Sequence, residues 1–262
     1  MTEHTEQGAR WDLWAPHYDQ DTAGQNHQPT AAGLADLAGP GPVLELGIGT
    51  GRIAFALAEW GVPVTGIDAS PQMIARLEGR AAQNPPGVAV RAVAGDMARF
   101  DLGELFPLIY VSVSTIFLLT SQADQVACFR SAAKHLGPDG RFVVEAAVPY
   151  ASGLATQRDQ MIVREMSDNH LKWSAFLHDA ATQTVRAQEI RIGVEDGFRM
   201  LPNLMRYAHP AELDLMAQLA RLRLERRTAD WSGTPFTATS THHVSVYSHL
   251  PAEPALPTGA PA

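Results

Sequence analysis

The chain is short of cysteine, of basic excess and of long apolar runs, and each shortage excludes something. A single cysteine, Cys128, stands among 262 residues. No intramolecular disulfide framework can form, and a reducing compartment suits the chain. Cys128 lies in a helical pattern, where a buried thiol behaves as a small apolar residue rather than a nucleophile. Lysine and arginine number 20 against 28 acids, a formal net charge of −8. With no basic stripe, a nucleic-acid backbone is a poor substrate. No apolar run reaches the ~18 residues of a membrane span, and Met1 to Gln7 lacks the apolar core of a signal peptide. The expectation is a soluble, cytoplasmic protein that touches neither nucleic acid nor membrane. Hydrophobic residues make up 45% of the chain. That is enough for one large α/β domain, or one domain with a sizeable insertion.

What is present is an alternation of apolar strands and amphipathic helices. Strands are expected at 42–46, 63–67, 88–92, 108–113 and 141–147, with helices at 51–60, 71–82 and 122–136 between them. Two further helices precede these, at Arg10 to Asp19 and Thr30 to Leu37. Such alternation predicts a parallel sheet with helices on both faces. After Pro149 the texture changes. Met161 to Met166, Leu171 to Leu177, Thr184 to Ile192 and Phe198 to Ala208 read as an antiparallel meander separated by turn-prone residues. A helix returns at Pro210 and runs to about Leu222. Leu224 to Trp231 and His242 to His249 then read as a closing hairpin at the sheet edge. Residues 1–8 and the proline-rich 251–262 are expected to be disordered.

The most informative stretch is Val43-Leu44-Glu45-Leu46-Gly47-Ile48-Gly49-Thr50-Gly51-Arg52, followed by a helix and then Val64-Thr65-Gly66-Ile67-Asp68. Gly47, Gly49 and Gly51 remove side chains where a ligand would lie against bare backbone. Asp68 ends the second strand, where such a βαβ unit places a carboxylate beside a ribose diol. A phosphate-cradling loop would want Gly-Lys-Ser or Gly-Lys-Thr at the helix start, and the text is Gly51-Arg52-Ile53. A dinucleotide fingerprint would space its third glycine differently, and Glu45 would oppose a pyrophosphate. Glu45 suits instead a ligand with a cationic amino group and a sulfonium.

The pattern E-x-G-x-G-x-G followed by an acid ending the next strand resembles the class I S-adenosylmethionine-dependent methyltransferases. Gly95-Asp96-Met97 looks like that family's third motif. Leu136-Gly137-Pro138-Asp139-Gly140 looks like its turn into the fifth strand. The resemblance covers roughly positions 9 to 148. One departure is Pro107, where the family usually opens its fourth strand with an acid. The resemblance implies a Rossmann-like, doubly wound seven-stranded sheet with an inserted antiparallel β cap. The core with its N-terminal lid helix would span 9–149, the cap 150–208, and the completion of the core 209–250.

The same resemblance implies the site. S-adenosylmethionine would be held by Glu45 near its methionine end, by Asp68 on the ribose hydroxyls, and by Asp96 and Met97 at the adenine. Met73 would cover the adenine edge, with Ala69, Ser112 and the three glycines completing the contacts. Trp11, Trp14 and Tyr18 share one helix face by their spacing. In similar small-molecule methyltransferases this segment forms a lid, and an aromatic face also stabilises a sulfonium. Tyr18 and Trp11 are therefore placed at the cofactor. His17 beside them is a candidate base, with a solvent-facing histidine as the plainer reading. Ser114-Thr115-Ile116-Phe117 resembles the asparagine-threonine-x-phenylalanine stretch of relatives after the fourth strand, with serine in place of asparagine, and Phe117 is expected to wall the methyl-transfer site. Glu145 ends the fifth strand and would attract an amine or accept a proton, or else form an ordinary salt bridge. His242 and His243, adjacent on a strand, face opposite sides, and no metal is expected.

The reading that results is methyl transfer from S-adenosylmethionine to a small-molecule acceptor, with the amine of a secondary metabolite favoured. O- and C-methylation remain open, as does a cofactor-binding cyclase or rearrangement enzyme on the same scaffold. The sequence leaves room for a homo-oligomer.

Overall fold

The structure, a computed structural model, describes residues 3–39, 41–83, 89–156, 159–194 and 197–251. The expected C-terminal tail from 252 onward lies outside the described residues. Two helices open the chain, α1 (Glu3–Thr22) and α2 (Gln28–Ala38). The core alternation follows as β1 (Val43–Leu46), α3 (Arg52–Ala58), β2 (Val64–Asp68), α4 (Pro71–Ala81), β3 (Val90–Ala94), β4 (Phe106–Val111), α5 (Gln122–His135) and β5 (Leu136–Ala147). A four-stranded insertion comes next: β6 (Gln160–Met166), β7 (His170–Asp179), β8 (Thr184–Gly193) and β9 (Gly197–Arg206). The chain closes with α6 (Pro210–Leu219), β10 (Leu222–Thr228) and β11 (His242–His249).

The main sheet has seven strands in the order β10-β11-β5-β4-β1-β2-β3. β1 pairs in parallel with both β2 and β4, so the strand order reverses across β1. In an open α/β sheet that reversal leaves a crevice at the strands' carboxyl ends, where ligands bind. Side chains alternate between two buried layers. Leu44, Ile109, Phe142 and Val144 enter one with Phe129 and Tyr247; Val43, Leu108, Tyr110 and Val143 enter the other with Leu34 and Phe55. Phe129 meets Phe142 and Tyr247 edge-on at centroid distances of 5.1 and 5.6 Å. Such pairs add about 0.5–1.5 kcal/mol each to the burial of their area.

Several boundaries differ from expectation. The helix expected from Arg10 begins at Glu3. Gly8 explains the docking: a Cβ there would lie 2.4 Å from the Ala69 carbonyl oxygen, so only glycine lets the helix rest on the loop after β2. Pro107 is the second residue of β4, not its predecessor, and the pairing with β5 shifts register between Phe106 and Leu108. The irregularity absorbs the missing donor. β5 starts at Leu136, five residues early, because Leu136 pairs with Phe106.

Candidate cofactor and active site

The loop after β1 is built by hydrogen bonds that its glycines permit. The amides of Gly47 and Ile48 both donate to the Ile67 carbonyl, at 2.8 and 3.0 Å. Gly47 has φ +74°, and a Cβ there would strike the Thr115 methyl at 2.3 Å. Gly49 has φ +56°, and a Cβ there would meet nothing within 4 Å. The open space beside Gly49 is the cradle a ligand would fill. Its amide donates to Asp68 Oδ2 at 2.7 Å, while Asp68 Oδ1 accepts the Ser70 amide at 2.8 Å. With the Ala69 amide a third donor, the carboxylate still has acceptor capacity for a hydroxyl. Burial raises the Asp68 carboxyl above its ordinary value, against the loop amides that lower it.

Gly51 corrects the sequence reading. It does not line the cavity; a Cβ there would press on Phe55 at 2.9 Å and Leu77 at 3.1 Å. Its role is to let α3 start beneath the loop.

A cavity of about 520 Å³ opens over this loop, within the usual range of small-ligand sites. Trp11, Tyr18, Gly47, Gly49, Asp68, Ala69, Met73, Asp96 and Met97 all line it. α1 forms one wall. Trp11 lies 5.6 Å from Trp14 and 6.0 Å from Tyr18, the latter edge-on. Trp14 turns away from the cavity and donates from Nε1 to the Pro202 carbonyl at 2.9 Å, fastening α1 to β9. Tyr18 accepts a 2.8 Å hydrogen bond from Arg52; burial raises its hydroxyl's pKa, and Arg52 pulls the other way. On its other side α1 is pinned to α4. Asp12 accepts from Ser70 Oγ at 2.6 Å, and Asp19 pairs with Arg76 at 3.3 Å.

Five expected site residues stand elsewhere. Glu45 is buried beneath the loop, where its Oε2 accepts from the Tyr110 hydroxyl at 2.8 Å. Burial pushes its carboxyl up to about 8, against the lowering effects of Tyr110 and Arg52. Ser112 is buried, its carbonyl taken by the Thr115 amide. Phe117 is fully buried in the core and does not wall the cavity. It sits in the 3-10 turn Thr115–Leu118, in which positions three apart eclipse, so Thr115 and Leu118 face the cavity instead. Glu145 accepts the Val113 amide at 3.0 Å and lines a separate cavity of about 420 Å³ with Trp231 and His242. His17 lines neither cavity. Glu145 shares its sheet face with Val143, in the layer on the α2–α3 side, which the strand's end position alone did not reveal.

The sequence reading missed Gln7, Arg99, Leu118, Leu119, Thr120 and Asp124 in the cavity wall. Arg99 carried a readable signal: it lies three residues after Asp96 and pairs with Asp124, the acid in the first turn of α5. Gln7 sits on α1 and Asp124 opens α5, while Leu118, Leu119 and Thr120 come from the turn after β4 and carry no local signature. Among the described residues no group of three or more His, Cys, Asp or Glu could hold a metal, and no helix is long and apolar enough to cross a membrane.

Cys128 and the histidine pair complete the placement. Cys128 is buried and burial raises its thiol pKa, so it does not act as a nucleophile. His242 is exposed and His243 buried, on opposite faces of β11 as expected.

Residues 43–140 match the methyltransferase domain family. The CcbJ methyltransferase from Streptomyces caelestis superposes with a TM-score of 0.87 at 38% identity, covering 93% of this chain and 98% of that one. The cypemycin N-terminal methyltransferase of a Streptomyces species is 29% identical over 201 residues, 76% of this chain and 79% of that protein. The dTDP-3-amino-3,6-dideoxy-alpha-D-glucopyranose N,N-dimethyltransferase of Streptomyces fradiae is 35% identical over 121 residues, 46% of this chain and 42% of its own length. With a glycine loop, a strand-end acid and an aromatic-walled cavity at the sheet's reversal point, the chain belongs to the class I S-adenosylmethionine-dependent methyltransferases.

Proposed function

We propose that the protein methylates the amine nitrogen of a small secondary metabolite, an amino sugar or an amino-acid-derived scaffold. The observation that carries this reading is the cavity, with Trp11 and Tyr18 on one wall and the carboxylates of Asp68, Asp96 and Asp124 around it. Carboxylates and aromatic faces favour cationic groups. The cypemycin enzyme and the amino-sugar dimethyltransferase support the choice of nitrogen, since both names describe methylation at an amine.

S-adenosylmethionine, when bound, supplies a methyl group already activated on a sulfonium. The chain's residues then have to position the partners and exclude water. Asp68 would hold the ribose hydroxyls with the acceptor capacity that the loop amides leave, and Asp96, Met97 and Met73 would enclose the adenine. Glu45, ionised when the cationic end arrives above it, would supply negative potential from beneath the loop, and Trp11 and Tyr18 would shut out solvent. The acceptor enters at the carboxyl edge of β4, past Thr115 and Leu118 of the cavity wall, where Asp124 stands at the start of α5. Residues 150–208 act as the cap over that edge.

An amine attacks only once deprotonated. Incubation with S-adenosylmethionine and a panel of amino sugars and amino-acid derivatives is expected to yield S-adenosylhomocysteine in proportion to an N-methylated product. The rate should rise with pH through the acceptor's pKa. Turnover of hydroxyl acceptors alone, or a rate flat across that range, would defeat the assignment.

A further inference from the structure

The turn after β4 runs through two successive residues in the left-handed region, and neither is glycine. Val113 has φ +52° and Ser114 φ +60°. A positive φ is uncommon for any side chain, and for a β-branched one it is an outlier. Such a backbone persists only where its surroundings over-determine it. Packing does not supply that constraint, because Val113 is 52% exposed.

Hydrogen bonds from the end of β5 supply it. Glu145 Oε2 accepts the Val113 amide at 3.0 Å, and the Glu145 carbonyl accepts the Ser114 amide at 3.1 Å. Ser114 Oγ accepts the Ala147 amide at 2.9 Å. A single residue thus holds both amides of the strained pair, one of them through its side chain.

What the pair carries is the wall of the cofactor cavity. The 3-10 turn Thr115–Leu118 begins directly after Ser114, and the Ser114 carbonyl accepts the Phe117 amide at 2.9 Å. Thr115 and Leu118 line the cavity. The Thr115 methyl also fills the space where Gly47 would carry a Cβ, so the turn rests against the glycine loop. Relaxation of Val113 to a negative φ would rotate the turn and take Thr115 off Gly47.

We propose that Glu145 is a positioning residue for S-adenosylmethionine: its carboxylate clamps the strained Val113–Ser114 pair and so sets how Thr115 and Leu118 face the cavity. It acts through the reach of its side chain and not through its charge. The assignment does not depend on which acceptor is methylated, since it is read from cofactor binding alone.

Calorimetry of S-adenosylmethionine binding to the full chain, well below its melting temperature, separates reach from charge. Glu145→Asp keeps the charge but falls a methylene short of the Val113 amide. Glu145→Gln keeps the reach and an acceptor oxygen but loses the charge. The Asp variant should bind the cofactor about tenfold more weakly, the upper end of what one hydrogen bond is worth. The Gln variant should stay within about twofold of wild type, a change too small for a lost hydrogen bond. Val113→Gly removes the need for a clamp, because glycine adopts a positive φ freely. Added to Glu145→Asp, it should restore the affinity, and it relieves the strain should Glu145→Asp alone fail to fold. A residue that only stabilised the fold would lower the melting temperature and leave the dissociation constant unchanged. An unchanged constant in Glu145→Asp would therefore overturn the proposal. So would a weakened Glu145→Gln, which would place the effect in the charge, or a Val113→Gly/Glu145→Asp variant that still binds weakly.

Discussion

Glu45 is a fully buried carboxyl in the cofactor half of the molecule. It is 4% exposed, carries one hydrogen bond from Tyr110, and has its carboxyl pushed up to about 8 by burial. Arg52 offsets that rise, while Asp68 adds to it. A carboxyl raised in the folded state binds a proton more tightly there than in the unfolded chain. Its stabilising contribution is therefore complete below about 4.5 and is lost as pH climbs towards about 8, at up to about 1.4 kcal/mol per pH unit. A cation arriving nearby favours the ionised form. Binding of S-adenosylmethionine at neutral pH should thus release a proton, and calorimetry in buffers of different ionisation enthalpy would count it. Glu45→Gln should abolish the release; an unchanged proton count would detach Glu45 from the cofactor. At Asp68 the expectation is simpler. Asp68→Ala should weaken S-adenosylmethionine binding by about 1.5–3 kcal/mol, the worth of a charged hydrogen bond, and an unaltered dissociation constant would remove it from the site.

At the scale of elements, α1 decides whether the cavity has a wall. Gly8 sits so close to the Ala69 carbonyl that Gly8→Val must lift the helix. Cofactor affinity should drop at least about tenfold, some 1.4 kcal/mol, while the sheet's own melting changes little. Equal losses in both would mean that α1 is part of the core rather than a wall. This helix also shows where sequence reasoning ran out. The aromatic spacing of Trp11, Trp14 and Tyr18 was legible because it repeats within one helix. Residues 3–8 were not, because polar composition does not record that Gln7 donates to the Leu204 carbonyl across 197 positions. The glycine loop, Asp68 and Asp96 were readable for the same local reason. Thr115 and Leu118 were not, since the facing of a connection depends on the turn it adopts. Phe117 was misplaced for that reason, and Glu145 because the end of a strand does not tell which face its last residues take.

For the molecule as a whole, two buried groups on different strands give stability opposite slopes with pH. His243 is fully buried beside Arg227, and burial with that positive neighbour lowers its pKa to about 3. A histidine kept neutral in the fold contributes stability above about 6.5 that is lost as pH falls towards about 3. Glu45 slopes the opposite way from about 4.5 to about 8. The two slopes oppose each other between about 4.5 and 6.5, and the cofactor-free protein should melt highest there. His243→Gln should flatten the acid limb alone, and a limb unchanged by it would assign acid unfolding to other groups. The fastening of α1 to β9 has a consequence for how the protein comes into being. Trp14 leaves the ribosome 188 positions before the Pro202 carbonyl it bonds, a wait of about 10–40 seconds at usual rates of synthesis. The glycine loop can fold well before that. Its wall is pinned early to α4 through Asp12 and Asp19 but gains its tie to β9 only once the insertion has emerged, so a nascent chain completes its grip on the methyl donor late in its own synthesis.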